Sequence, residues 1–133
     1  AKLRKFGKLV SALVEAEGTN EEMAEFVNPL ADLGQKVEKL TMEIGMKAFG
    51  NADEAGAAAV DYLRVIGHLV LGYFWARMAR IALDRADSGD PVYRSKLATA
   101  RFYFAKLFPE TASLIRTARA GAAPLMNVEV ELF

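Results

Sequence analysis

The amino-acid sequence predicts an all-α protein, a four-helix up-down bundle with long, partly kinked helices and a short extended C-terminal tail. Apolar residues recur at steps of three and four over most of the chain, which is the period of an amphipathic helix. Glycine, proline and aspartate divide this pattern into four helical segments, at about 2–16, 20–49, 53–86 and 91–120. We therefore predict a bundle over residues 1–121 and a tail over 122–133. A chain of 133 residues can bury a core of its own without disulfides, and it has no cysteine to form them.

The first predicted helix carries a single apolar face. Its members recur at helical spacing and are Leu3, Phe6, Val10 and Leu13. Gly18 ends this helix, and the next helix starts close behind it. Thr19 and Glu22 have the spacing of a capping box, in which the hydroxyl and the carboxylate each accept from a free backbone N–H.

The second predicted helix has the narrow apolar seam that a neighbour in a bundle requires. The seam consists of Phe26, Leu30, Leu33, Val37, Leu40 and Ile44. Pro29 lies within this segment and leaves two possibilities open. Either it kinks the helix, or Asn28 caps a new helix that has Pro29 at its first position. Gly50 closes the segment.

The third and fourth predicted helices are separated by the turn sequence DSGDP at 87–91. Asp53 is the expected cap of the third helix, and Asp90 is the expected cap of the fourth, with Pro91 at its first position. Pro109 predicts a kink in the fourth helix, which Gly121 ends. The residues that follow alternate between apolar and polar side chains, a pattern typical of extended backbone.

The third helix is apolar on more sides than a bundle neighbour covers. Asp61, Arg64, His68 and Gly72 share one narrow polar or small stripe, and apolar residues fill an arc of about 240°. A surface helix needs little more than about 100°. Either the rest of the bundle buries the excess, or, as we favour, a partner outside the chain covers it. The docking face predicted from this arc consists of Ile66, Val70, Tyr73, Phe74 and Trp75.

Composition excludes several classes of function. The chain has 17 basic and 17 acidic residues, so its net charge is zero, which is unfavourable for general nucleic-acid binding. No membrane span is expected in the apolar third helix, because Arg64, Arg77 and Arg80 would each cost a few kcal/mol in lipid. No signal peptide is recognisable, and we expect a cytoplasmic protein. The first residue is not methionine, so we expect a trimmed initiator or a piece of a longer protein.

No catalytic, cofactor-binding or metal-binding residue is predicted. His68 is the only histidine, and Val65 stands where a di-iron bundle would have the glutamate of a Glu-x-x-His motif. The chain lacks the cysteines of a thiolate metal site or of covalently attached haem. Its five methionines could in principle bind a haem, but they are scattered along the chain, as core methionines usually are. We therefore expect His68 to have a structural role or to lie at an interface.

Two stretches of the sequence resemble the C-terminal helical extension found in one branch of the acyl-CoA dehydrogenase family. They are YLRVIGHLVLGYFWARMA at 62–79, with Gly67 and Gly72 five residues apart, and KLATARFYFAKLFPETASL at 96–114, which contains the run from Lys96 to Pro109. The similarity extends over roughly residues 20–121. It implies a parent enzyme in which a glutamate removes the α-proton of an acyl-CoA thioester and FAD accepts a hydride from the β-carbon.

The flavin-binding and catalytic portions implied by the resemblance precede the extension, and nothing in this chain matches them. The chain alone is therefore expected to be inactive and to pack on the catalytic body or on a subunit interface of the parent. Its partners would be that body or a second copy of itself, with acyl-CoA reached only through the parent. Arg94 and Arg101 share a helix face and could contact a phosphate of coenzyme A or a carboxylate. The alternatives are a non-catalytic adaptor that self-associates and, less favoured, a complete small enzyme.

Overall fold

The computed structural model describes residues 2–133 and confirms the all-α fold, with no strand anywhere in that range. The helices are α1 (Lys2–Glu17), α2 (Ala24–Gly50), α3 (Ala52–Asp84), α4 (Pro91–Phe102), α5 (Glu110–Arg119) and α6 (Ala123–Met126). A π-helical segment, Tyr103–Leu107, joins α4 to α5. Short 3₁₀ turns occur at Glu21–Met23, Ala86–Ser88 and Val130–Leu132.

Successive helices run antiparallel, as an up-down bundle requires. Helices α1 and α3, which α2 separates in the chain, run parallel: Phe6 contacts Tyr73 with ring centroids 5.2 Å apart, and Glu17 pairs with Arg80 further along both. The hydroxyls of Thr41 and Tyr62 are 2.6 Å apart between α2 and α3. Just after α5, the Ala122 N–H donates a hydrogen bond to the Glu54 carboxylate at 3.1 Å. The end of α5 therefore lies beside the start of α3. Helix α3 is therefore the central helix, in contact with α2, α4 and α5.

The core forms around the predicted seam of α2. Its first five members, Phe26, Leu30, Leu33, Val37 and Leu40, are buried, and Ile44 packs partly buried against them. Helix α3 faces this seam with small residues, because Gly72, Ala76 and Ala79 are all buried. Small side chains let neighbouring helices approach closely, and the buried Val65 and Leu69 complete this face of α3.

A buried carboxylate ties the end of α1 to α3. The Glu17 side chain is only 5 % exposed, and it forms an ion pair with the guanidinium of Arg80. The Asn20 amide also donates to this carboxylate, at 3.1 Å. An acidic side chain is rarely buried without partners, and Glu17 has a charged and a neutral one.

The helix starts differ in detail from the sequence predictions. The capping box of Thr19 and Glu22 is wrong, because Asn20 supplies the side-chain oxygen that accepts from the Glu22 N–H at 3.2 Å. The cap of α3 is Asn51 rather than Asp53, since its Oδ1 accepts from the Asp53 N–H at 3.0 Å. Asparagine caps as well as aspartate does, and residue 51 has the extended backbone that a cap needs.

Pro29 neither starts a new helix nor ends the existing one. Helix α2 begins at Ala24 and runs through Pro29, so the cap proposed at Asn28 is wrong. A proline removes one backbone hydrogen bond and crowds the carbonyl four residues earlier, which is most tolerable near a helix start. Phe26, Val27 and Leu30 are buried on either side of it, and their packing holds this turn in place.

A π-helical segment interrupts the fourth helical limb just before Pro109, where a kink was predicted. The Phe108 N–H donates to the Tyr103 carbonyl five residues back, at 2.9 Å. The wider turn relieves the clash that the Pro109 ring would otherwise have with a preceding carbonyl. Asp90 caps α4 as predicted, by accepting from the Val92 N–H at 3.0 Å.

The C-terminal tail is not simply extended, which corrects the sequence prediction. Gly121 has φ +79° and ends α5, but Ala123–Met126 then forms one more helical turn and Val130–Leu132 a 3₁₀ turn. Pro124 accounts for the first turn, because proline is favoured in the opening residues of a helix. Leu125, Met126, Val130, Leu132 and Phe133 remain exposed.

Candidate functional site

One side of α3 is left uncovered by the rest of the bundle. Five of its large apolar side chains, Val60, Leu63, Leu71, Phe74 and Ile81, are between 46 and 73 % exposed. Together with the half-buried Gly67 and Met78 they recur at steps of three and four, so they form a continuous line along the helix. We define the α3 stripe as Val60, Leu63, Gly67, Leu71, Phe74, Met78 and Ile81. It runs for about six turns, or about 32 Å.

The α3 stripe contains no charged residue, and the nearest arginines are held beside it. Arg64 forms an ion pair with Glu110 on α5. The Arg77 guanidinium carbon lies 5.6 Å from the centre of the Tyr73 ring, on the other flank. A contiguous, uncharged apolar surface of this size on a folded chain usually marks an interaction site.

The structure does not bring the predicted docking face together on one bare surface. Phe74 lies on the α3 stripe, and Ile66 and Val70 are half-buried beside it. Tyr73 is buried against Phe6 of α1. Trp75 points toward the π segment, where its ring stacks on Tyr103 with centroids 6.5 Å apart.

Sequence reasoning missed Val60, Leu63, Leu71 and Ile81 as members of the exposed surface. The signal that could have found them is the line of small residues on the same helix. Gly72, Ala76 and Ala79 mark the side where α3 approaches its neighbours closely. At 100° per residue, the missed positions fall on the opposite side of the helix.

An apolar groove adjoins the N-terminal end of the α3 stripe. It has a volume of about 560 Å³ and is bounded by residues of α1, α2 and α3, including Leu3, Ile44, Tyr62, Leu63 and Ile66. A larger groove of about 850 Å³ runs between α1 and α2. The first groove shares Leu63 with the stripe, so the apolar surface continues around the end of the bundle.

His68 lies in a polar cluster between α3 and the fourth limb. Its Nδ1 is 2.8 Å from the Tyr103 hydroxyl, and its Nε2 is 3.2 Å from Glu110 Oε2. The Tyr103 hydroxyl also lies 3.3 Å from the backbone carbonyl of His68, to which it can donate. Tyr103 is the first residue of the π segment, which therefore presents this ring to His68.

The polar cluster is organised to hold helices together. Both nitrogens of His68 have partners within the chain, which satisfies a side chain that is only 11 % exposed. The pKa of the Tyr103 hydroxyl is raised well above its ordinary value, mainly by burial and further by the negative charge of Glu110. Across residues 2–133, no three of the residue types His, Cys, Asp and Glu come together as metal ligands would.

The chain matches one protein family over nearly its whole length. The family is described as acetyl-CoA dehydrogenase C-terminal like, and the match covers residues 6–129. The chain belongs to this family. The resemblance inferred from residues 20–121 is thereby confirmed. The family match is wider, because it also includes most of α1 and the whole of α6. No curated protein matches the chain.

The two arginines predicted to contact an anion differ in their surroundings in this acyl-CoA dehydrogenase C-terminal domain. Arg101 donates through Nε to Glu25 of α2 at 3.0 Å, so its charge links α4 to α2. Arg94 is exposed two turns earlier on α4. The structure thus gives Arg101 a partner within the domain, and an anion contact at either arginine stays a prediction.

Within residues 2–133, α3 alone is long and apolar enough, by length and composition, to cross a membrane. Core helices of water-soluble domains pass the same test. Here α3 packs on α2, α4 and α5 and carries three arginines along its length. The absence of a membrane span stays a prediction.

Replacing Tyr103 with phenylalanine is expected to lower the free energy of unfolding by about 1–2 kcal/mol at pH 7, because His68 Nδ1 loses its partner. This difference should shrink above about pH 10. There the unfolded chain loses the tyrosine proton while the folded protein retains it, so the stability of the native chain falls as pH rises. Urea unfolding of both proteins at pH 7 and pH 10.8 measures the effect. A difference independent of pH would contradict the expectation.

Proposed function

We propose that this chain is the non-catalytic C-terminal accessory domain of an FAD-dependent acyl-CoA dehydrogenase, and that the α3 stripe is buried in the assembled enzyme. The parent would desaturate acyl-CoA thioesters between the α- and β-carbons in fatty acid metabolism, in the cytoplasm. The domain would contribute shape and apolar surface next to the catalytic body or at a subunit interface, where it can border the acyl-CoA entrance. FAD and acyl-CoA would be bound by the parent.

The α3 stripe is the observation that carries this proposal. A small bundle that functioned alone would gain nothing from a line of uncharged apolar side chains about 32 Å long in water. Membership of the acetyl-CoA dehydrogenase C-terminal-like family supports the kind of enzyme to which the domain is attached. The polar cluster at His68 supports a structural role, because its polar atoms are directed to one another between the helices.

The proposal can be tested by thiol labelling of the full-length enzyme that carries the domain, after its other reactive cysteines are removed. This domain has no cysteine of its own. In the domain, Leu63 is 70 % exposed and Val92 of α4 is 43 % exposed. If the stripe is covered in the enzyme, Leu63→Cys reacts at least about tenfold more slowly than the control Val92→Cys. Faster reaction at Leu63→Cys than at Val92→Cys would refute burial of the stripe.

A further inference from the structure

Gly67, in the middle of the α3 stripe, has no explanation inside the chain. A Cβ built on Gly67 meets nothing within 4 Å. Glycine in a helix interior is less favourable than alanine, and Gly67 is the open helical glycine that lies within the α3 stripe. Gly72 on the same helix makes room for a neighbour inside the chain, since its Cβ would lie 2.9 Å from a ring carbon of Phe108. The room at Gly67 opens to solvent.

Six of the seven members of the α3 stripe, all except Leu71, are spaced symmetrically about one midpoint of the helix. Val60, Leu63 and Gly67 precede a midpoint between residues 70 and 71, and Phe74, Met78 and Ile81 follow it at the same distances. An identical helix running antiparallel would therefore place Val60 opposite Ile81 and Leu63 opposite Met78. It would also place the open position at Gly67 opposite the Phe74 ring, which is 46 % exposed.

We propose that two copies of this chain pair antiparallel along the α3 stripe, with Phe74 of each copy filling the space at Gly67 of the other. This rests on the proposed burial of the stripe and names the partner that buries it. A two-fold interface uses the same patch twice, so each contact must occur in both directions, and the mirrored spacings provide this. The stripe is uncharged, so identical copies meet without repulsion along it.

A second copy fits the stripe better than a foreign surface does. Packing against the catalytic body would require an apolar strip on α3. It would not require the residues of that strip to be spaced symmetrically about a midpoint. Two helices in contact over about 32 Å, with Val70 widening the seam, bury an apolar surface on the order of several hundred Å² per copy. Stable dimers bury about 800 Å² per partner, so we expect a dimer that dissociates on dilution.

Cysteine cross-linking of the 133-residue chain tests both the partner and the register. Leu71→Cys lies at the two-fold axis and should form a disulfide-linked dimer on mild oxidation. Leu63→Cys should not, because its two copies would be separated by about 22 Å along the helices, beyond the roughly 7 Å reach of a disulfide. A mixture of Leu63→Cys and Met78→Cys should cross-link. Self-cross-linking of Leu63→Cys as strong as that of Leu71→Cys would indicate parallel pairing and overturn the proposal.

Gly67→Leu provides a second measurement that does not depend on oxidation. It should weaken dimerisation at least about tenfold in sedimentation equilibrium between about 1 and 200 µM, because leucine occupies the space meant for Phe74. Gly45→Leu is the matched control, since Gly45 is an exposed helical glycine of α2 whose Cβ also meets nothing. Equal dimerisation of the two variants, or a native chain that is monomeric at every concentration, would overturn the pairing. If Leu63→Cys is nevertheless shielded in the full enzyme, the pairing fails while the proposed function stands.

Discussion

Gly72→Leu is expected to lower the free energy of unfolding by about 3 kcal/mol or more. A Cβ at residue 72 would lie 2.9 Å from Phe108 Cε2 and 3.3 Å from Leu30 Cδ1. Leu30 is fully buried and Phe108 almost so, so neither can move aside without disturbing the core. Overpacking of this kind typically costs about 1–3 kcal/mol for smaller insertions, and leucine adds four carbons. Urea unfolding followed by circular dichroism at 222 nm measures the effect.

Gly67→Leu is the control for Gly72→Leu, because it makes the same change on the same helix five residues away. Its Cβ enters open space, and leucine is a better helix former than glycine by about 0.8 kcal/mol. Measured in dilute solution, this variant should be as stable as the native chain or slightly more stable. A loss of stability at Gly67 comparable to the loss at Gly72 would mean that the packing around α3 is not as described.

Phe26→Ala is expected to destabilise the fold by about 4 kcal/mol, the range typical of phenylalanine removed from a protein core. The Phe26 side chain is fully buried near the start of α2. Its ring meets Phe104 edge to face, with centroids 5.8 Å apart. Truncation therefore leaves a cavity between α2 and the π segment, and the rigid backbone on both sides limits its collapse.

Phe49→Ala serves as the control for Phe26→Ala. Phe49 lies at the other end of the same helix and is 96 % exposed, so its removal should change the free energy of unfolding by no more than about 0.5 kcal/mol. Differential scanning calorimetry of the three proteins gives the comparison. Similar shifts in melting temperature for both variants would contradict the assignment of the core.

The elements that the sequence predicted well are those that depend on one local pattern. The seam of α2 repeats at steps of three and four, and burial follows directly from it. Asp90 with Pro91 and the end of α5 at Gly121 were likewise readable from residue type. The start of α3 was placed at the wrong residue, because Asn51 and Asp53 are equally good caps and only backbone geometry chooses between them.

The docking face was harder to predict, because periodicity shows how wide an apolar arc is but not which part of it the bundle covers. The width of the α3 arc indicated an uncovered side. Choosing that side requires the positions of α1 and the π segment, which cover Tyr73 and Trp75. The polar cluster was also invisible, since Tyr103 reaches His68 only through a π-helical segment that no residue pattern specified.

The π segment has a consequence for the comparison of related chains. A π turn accommodates one residue more than an α turn, so everything downstream is rotated by about 100° relative to an uninterrupted helix. Glu110 faces His68 only with that extra residue present. A homologue whose fourth limb is a regular helix would need a single-residue gap between 103 and 107 to be aligned correctly. Aligned without the gap, its counterpart of Glu110 would be assigned to the wrong column.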